Sequence, residues 1–517
     1  EPVTTSRYLE YELSHGQNPA MVGLCEPMIR NAMRRCRQAI AAKVNVPAAW
    51  TSLALFHLLV REDFEALDAL AQLIRHCQPG QPDPAMDAGQ SETRCRPCAA
   101  GAGLLRLREA VRRLECIRES LPGFSSFERL LSLGMAVRLK EREAGEALSR
   151  AASQVEGGLP YRMDAPVVIL AGGCSPTVAD AVRRFGERLL EGCRGLSMDV
   201  VSGGTLAGIC RVAGDLAAAS GGRIRAFGYL PASLPRGEFE DLDSSRYQRS
   251  FATPQGDFGP EQVLQAWTDL VAAGVEPCRV KVLAFAGRRI TRVEIAVALA
   301  LGGQAGVVDD PLLPADRRFK GTAWDDHPGC IPLPLDAMTL RAFLLIDRRP
   351  VDGAQEERLE KAAQIAHEDY LKSATPRDPS HQRWKELDAD LKLSNFHQVA
   401  YWEVMLEEEG LGLRRIQSAG LPAPPPSRMA ELIGEEGIAR LAEKEHGRWN
   451  VERLSRGWRY AKEKDVGKRR SPYLVPWNEL SEEIQGYDLA AMRSLPQKLW
   501  AAGLEVYRLS EHQPGGG

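Results

Sequence analysis

The chain has 517 residues, 44% of them hydrophobic, with 66 basic against 69 acidic side chains and a formal charge of -3. That length calls for several domains with ordinary globular cores. The slightly acidic balance argues against direct nucleic-acid binding, and no apolar run approaches the roughly eighteen residues of a membrane span. The opening EPVTTSRYLEYEL has no basic-then-apolar leader pattern, and its start at Glu1 rather than Met reads as a processed chain or a fragment. Eleven cysteines, an odd number scattered along a long chain, read as reduced thiols of a cytoplasmic protein rather than a disulfide framework.

Residues 1–160 read as helices. Met28, Ile29, Ala32, Met33, Cys36, Ala39 and Ile40 recur at spacings of three and four. Trp50, Leu53, Ala54, His57, Ala66, Leu70, Leu73 and Pro79 then fall where a tetratricopeptide repeat places its packing residues, with His57 where a tyrosine is usual. The unit resembles one such repeat, which implies a helical-repeat scaffold that docks a partner protein; a plain helical bundle is the alternative. Leu104 to Ile117 and Phe127 to Leu139 continue the pattern. Cys95 and Cys98 form a Cys-x-x-Cys in a Gly- and Pro-rich stretch, but no second pair follows, so no metal site is expected.

At Pro166 the pattern changes. Near-continuous apolar runs begin at Pro166, Met198, Arg223, Val280 and Ala305 and alternate with helical segments. This predicts a doubly wound parallel sheet covered on both faces over residues 161–348. Glycine-rich turns follow the first two strands: Gly172, Gly173 and Ser175, then Ser202, Gly203, Gly204, Thr205 and Gly208. Ligands of such sheets sit beyond the strands' carboxyl ends, where glycine admits a phosphate to a helix N-terminus. The motif Ser202-Gly203-Gly204-Thr205-x-x-Gly208 resembles the SLOG superfamily, and that resemblance implies binding of ADP-ribose, NAD or a related nucleotide. The hydrolase branch of that group carries P-G-G-x-G-T-x-x-E with a catalytic Glu. Here Gly287, Thr291 and Glu294 match, while Arg288 and Ile290 replace two glycines. Those side chains crowd a phosphate cradle, which favours binding over hydrolysis; Arg288 or Arg289 then meets the phosphate.

Residues 349–430 read as a charged helical connector with little apolar face, ending in a stiff spacer at Pro422 to Pro426. Residues 431–512 hold Trp449, Trp458, Trp477, Tyr460 and Tyr473 among Lys462, Lys464, Lys468, Arg469 and Arg470. Interleaved aromatics and cations suit a site that stacks a base and neutralises phosphate. A helix should end near Gly457, and a capped helix should begin at Ser481. The pattern of His446, Trp449, Arg453, Gly457, Trp458 and Tyr460, then Leu474, Val475, Pro476, Trp477, Glu479 and Leu480, resembles the RyR domain. The resemblance implies a small helical module, some members of which bind adenine nucleotides or ADP-ribose-like molecules, and it carries no catalytic residues.

The expectation is a multidomain α plus α/β protein: a cytoplasmic nucleotide sensor with no tightly bound cofactor, forming a homo-oligomer or engaging a protein partner. By analogy with bacterial proteins built from such modules, antiphage signalling is a natural setting. Trp458 or Tyr460 would stack the base, with Arg453 and Lys468 to Arg470 on phosphate. The competing expectations are a nucleotide N-glycosidase using Glu294 and a scaffold with vestigial sites.

Overall fold

Helical periodicity in the first third becomes, among the described residues, seven helices: α1 (Pro2–Ser14), α2 (Ala20–Ala41), α3 (Val46–Leu59), α4 (Asp63–His76), α5 (Pro97–Glu115), α6 (Phe124–Arg138) and α7 (Arg142–Ala151). The computed structural model describes residues 2–14, 20–77, 97–118, 124–153, 161, 166–232, 245–254, 257–318, 324–346, 353–373, 382–387, 389–416 and 422–509. Pro79 and Cys95 lie outside the described residues. The chain divides into two units, one of residues 1–183, 197–305 and 313–329, the other of residues 184–196, 306–312 and 330–517.

The strands and helices of the middle follow as β1 (Val167–Gly172), α8 (Ala179–Gly192), β2 (Met198–Ser202), α9 (Gly208–Ala219), β3 (Ile224–Pro231), β4 (Arg249–Thr253), α10 (Pro260–Ala272), β5 (Val280–Phe285), α11 (Arg289–Leu301), β6 (Gln304–Asp309), β7 (Cys330–Pro334) and α12 (Ala337–Leu345). They form a seven-stranded parallel sheet of order β4-β3-β2-β1-β5-β6-β7. The five predicted runs are β1, β2, β3, β5 and β6. β1 pairs with β2 and β5, and β5 is buried along its length, as the apolar runs require. The apolar pattern misses the two edge strands. β4 alternates exposed and buried residues over only five positions, and β7 carries Pro332 and Pro334, which an edge tolerates and a sequence reading discounts.

Within the first unit the helical region packs on the α/β layers. α4 lies against α11, while α6 and α7 lie against α10. Polar bonds pin these contacts: Trp324 Nε1 donates to Asp68 at 2.6 Å, Arg129 to Gln265 at 2.6 Å, and the Ser153 amide to Asp269 at 2.8 Å. α3 and α4 form a helical pair in which Ala54, Ala66, Leu70 and Leu73 are buried, and α4 packs on α11 as well as on α5 and α6.

The second unit adds α13 (Gly353–Ser373), α14 (Ala389–Glu408), β8 (Leu411–Arg415), α15 (Arg428–Ser455), β9 (Arg459–Tyr460), β10 (Arg470–Ser471), α16 (Glu482–Arg493), α17 (Leu495–Ala501) and β11 (Leu504–Arg508). The stretch expected as a bare connector is packed instead. α13 buries Leu359, Ala362 and Ala363 and lies on α14, through an alanine face too small to stand out among its charges. The expected helix end is present, with Gly457 at φ 81°. α16 starts after Ser481, whose side chain makes no capping bond. The C-terminal module is not purely helical, because β8 and β11 pair antiparallel and β9 pairs with β10. No helix of the described residues is long and apolar enough to cross a membrane.

Candidate functional site

A cavity of about 680 Å³ opens at the carboxyl ends of β1 and β2 and beside the N-terminus of α11. Gly172, Gly173, Ser202, Gly203, Thr205, Arg288, Thr291 and Glu294 all line it. The apolar walls come from Phe64, Leu170, Val201, Ile209, Tyr229, Phe258, Val263 and Ile290. Phe64 stands on α4, so the helical region supplies one wall. No local pattern marks that residue, because its role depends on α4 docking against α11.

The glycines act differently from the phosphate cradle that the sequence suggests. A Cβ at Gly172 would stand 2.2 Å from the Phe285 carbonyl oxygen, and one at Gly173 would stand 2.5 Å from that of Ala286. Gly204 at φ 78° abuts Gly228 of β3, and Gly208 at φ 50° abuts the Gly173 carbonyl. These residues let backbone pack on backbone. Gly204 and Gly208 do not line the cavity, nor does Ser175, which caps the short turn at Thr177.

The donors of this turn meet a sulfur. The amides of Gly203 and Thr205 and the Thr205 hydroxyl face Cys210 Sγ, while the amides of Ile209 and Cys210 at the start of α9 donate to the carbonyls of Gly173 and Ala207. The neighbouring Cys174 draws the Cys210 thiol below its ordinary range, and Cys174 rises in turn. The sequence places both cysteines beside the glycine motifs, but the motifs alone assign those donors to phosphate.

The N-terminus of α11 is more open. Its N-cap, Arg288, makes no side-chain cap, and Arg288 to Thr291 all face the cavity. Early amides of a helix have no partner within it and favour an anion. Arg288 pairs with Asp316 at 3.0 Å, whereas Arg289 pairs with no carboxylate among the described residues. Ala286, just before this turn, is held at φ 53°, a left-handed conformation that is uncommon outside glycine.

Glu294 lies one turn along α11. Burial pushes its carboxyl up to about 8, helped by the Cys210 sulfur and opposed by a hydrogen bond from Thr291. It therefore enters neutral pH largely protonated, able to donate as well as accept. A carboxyl raised on folding stabilises the fold fully below its unfolded pKa of about 4.5 and loses that contribution as pH climbs through about 8. Wild type is expected to lose stability relative to Glu294→Gln between those limits, by at most about 1.4 kcal/mol per pH unit. Parallel melting curves across that range would contradict the placement.

The C-terminal aromatics form a different arrangement. Trp458 is 7% exposed, and the Arg453 guanidinium lies 5.1 Å from its ring centre and 5.8 Å from that of Trp449. Trp449 stacks on His446 at 5.8 Å, and Trp477 approaches the same imidazole at 5.8 Å. His446 and Asn450 meet the Val475 carbonyl at 2.9 and 3.1 Å, fixing the Pro-bounded strip to α15. The tryptophans and Arg453 thus satisfy one another, and Trp458 is closed to a base. Tyr460 is 55% exposed, and Lys468, Arg469 and Arg470 are exposed. Within that loop Lys468 pairs with Asp465 at 3.4 Å, and Arg469 donates to the Arg456 carbonyl at 2.8 Å. The β9–β10 pair sets Tyr460 opposite Ser471, next to Arg470, while Trp458 is buried.

A parallel sheet with interleaved helices and a cavity at its strand ends is Rossmann-like in class. Residues 433–508 match the family model described as the RyR domain, so the C-terminal part of the chain carries that domain.

Proposed function

We propose that this chain is a nucleotide-responsive regulatory protein, and that an adenine nucleotide or ADP-ribose-like molecule binds in the cavity of its SLOG-like domain. The carrying observation is the joint presence, in one 680 Å³ chamber, of an open helix N-terminus with Arg289, a buried carboxyl at Glu294 and a wall from α4. Phosphate sits at the start of α11 against Arg289. The ring and ribose occupy the apolar chamber between Phe64, Tyr229 and Phe258, where Glu294 hydrogen-bonds a polar edge. Chambers of this size with few polar groups suit small organic ligands. Because the helical region and the α/β layers both line the chamber, a ligand that contacts both changes the free energy of their association, which is how binding becomes a signal. The RyR domain is the relay or partner-facing module, since Trp458, its expected stacking platform, is buried.

A screen of NAD, ADP-ribose, ATP and cyclic dinucleotides by thermal shift tests this. A ligand at a hundred times its Kd stabilises the fold by roughly 2.7 kcal/mol. Arg289→Ala is expected to weaken the responding nucleotide about 10- to 100-fold, the loss of one charge-assisted phosphate contact. Unchanged affinity in that variant would remove the phosphate assignment.

Glu294 favours one second reading, cleavage of an N-glycosidic bond. Its protonated carboxyl would give a proton to the departing base, and water would add to the ribose carbon and return a proton to the carboxylate. Free base released by wild type and not by Glu294→Gln would establish this reading over the binding-only one.

A further inference from the structure

Two thiols meet at this cavity and take no part in the ligand contacts proposed for it. Cys174 follows β1, Cys210 lies in the first turn of α9, and both line the chamber. The backbone fixes their approach. The Ile209 amide donates to the Gly173 carbonyl at 3.2 Å, and a Cβ at Gly208 would stand 2.4 Å from the Cys174 Cα. Across this contact the two thiols lie close enough for each to shift the other's titration. Cys174 is exposed, giving access from solvent, while Cys210 is buried behind it.

We propose that Cys174 and Cys210 are an oxidation site that a hydroperoxide converts to a disulfide at the cavity wall. The Cys210 thiolate attacks one peroxide oxygen and breaks the O–O bond, giving a sulfenic acid and hydroxide. The Cys174 sulfur then attacks the sulfenyl sulfur, and an S–S bond replaces the S–O bond. The hydroxyl leaves as water with the thiol proton. Two thiols lose two electrons in all, and the peroxide is reduced to two waters. The neighbouring Cys174, the Thr205 hydroxyl and the amides of the Gly203–Thr205 turn lower the Cys210 thiol against its burial, and a lowered thiol is a reactive one. Around it, Glu294 is the protonated neighbour, and Tyr247, whose hydroxyl donates to the Cys210 carbonyl at 2.6 Å, stays neutral because burial raises it. At the other buried thiols burial prevails, pushing Cys36 up to about 11 and Cys77 and Cys193 up to about 12. A further consequence, resting on the ligand reading, is that the crosslink ties the β1 exit to α9 and alters ligand entry.

The test uses the reduced full chain, one equivalent of hydrogen peroxide, alkylation and non-reducing peptide mapping. The expected result is a Cys174–Cys210 crosslink with loss of two free thiols per chain, restored by dithiothreitol, while exposed Cys116 and Cys278 stay alkylatable. Cys174→Ser should leave a dimedone-reactive sulfenic acid at Cys210. In Cys210→Ser, Cys174 should oxidise no faster than Cys116. Oxidation confined to Cys116 and Cys278, a crosslink elsewhere, or fast Cys174 oxidation in Cys210→Ser would overturn the proposal. Crosslinking is read by mass alone, so a chain that crosslinks but binds no nucleotide defeats only the ligand reading.

Discussion

Glu445→Ala is expected to destabilise the C-terminal unit by about 3–5 kcal/mol, the cost of stranding a buried cation. Glu445 and Arg448 are 6% and 4% exposed. The guanidinium donates twice to Glu445, at 2.8 and 2.9 Å, and once to Glu452 at 2.6 Å. Glu445 also accepts from Gln398 at 3.0 Å and from the Trp402 indole at 3.2 Å, so it ties α14 to α15. Burial works against the charge on Arg448, but Glu445 and Glu452 outweigh it and raise its pKa. Burial alone would likewise raise Glu452, yet Arg456, Arg448 and Arg453 hold it at about 2. Its contribution is therefore present above about 4.5 and lost only as pH falls through about 2. Removing Glu445 leaves four donors short of an acceptor, whereas Glu445→Gln keeps part of the acceptor set and should cost less. The exposed pair Arg493–Glu435, with side chains 47% and 63% exposed, is the control. Breaking it should cost under about 1 kcal/mol. Equal losses at the two pairs in urea denaturation would contradict the buried-network account.

Gly447→Ala is expected to be strongly destabilising although alanine is the better helix former. A Cβ there would lie 2.4 Å from both the carbonyl carbon and oxygen of Met338 and 2.8 Å from the Thr339 amide. These are backbone atoms of α12 and cannot rotate away, so α15 must lift off. The displaced contact includes the bond from Asn450 to the Thr339 hydroxyl at 3.2 Å. Overpacking of this kind costs roughly 1–3 kcal/mol or more, above the ~1 kcal/mol that alanine gains over glycine in a helix. Gly486 supplies the comparison, because it lies in α16 and a Cβ added there would meet nothing within 4 Å. Gly486→Ala should stabilise by up to about 1 kcal/mol. The opposite signs, read from denaturation midpoints, are the check.

Sequence pattern reached the elements whose signal is local. The five apolar runs, the helix stop at Gly457 and the RyR motif depend on neighbours in the chain, and each is in its expected place. The edge strands β4 and β7 were hidden because an edge may be polar or carry proline. The packing of α13 was hidden because alanine faces give a weak apolar signal. At the candidate site, Gly172, Gly173, Ser202, Gly203 and Thr205 were legible from position after a strand, and Arg288, Thr291 and Glu294 from the comparison with the hydrolase signature. What they do was less legible. A glycine next to a strand end looks the same whether it admits a phosphate or a neighbouring carbonyl, and only the fold shows the Phe285 oxygen in that space. Phe64 was invisible, because it reaches the cavity through a tertiary contact. Trp458 looked like a stacking platform because sequence cannot show that Arg453 covers it.

Calorimetric titration of the full chain with ADP-ribose and NAD, in wild type and in Arg289→Ala, addresses the central claim most directly. The account predicts saturable one-site binding of an adenine nucleotide to wild type, weakened about 10- to 100-fold in Arg289→Ala and unchanged in Tyr460→Ala. Binding that survives Arg289→Ala but is lost in Tyr460→Ala, or no heat from either nucleotide at about 1 mM, the weak end of specific affinity, would contradict it.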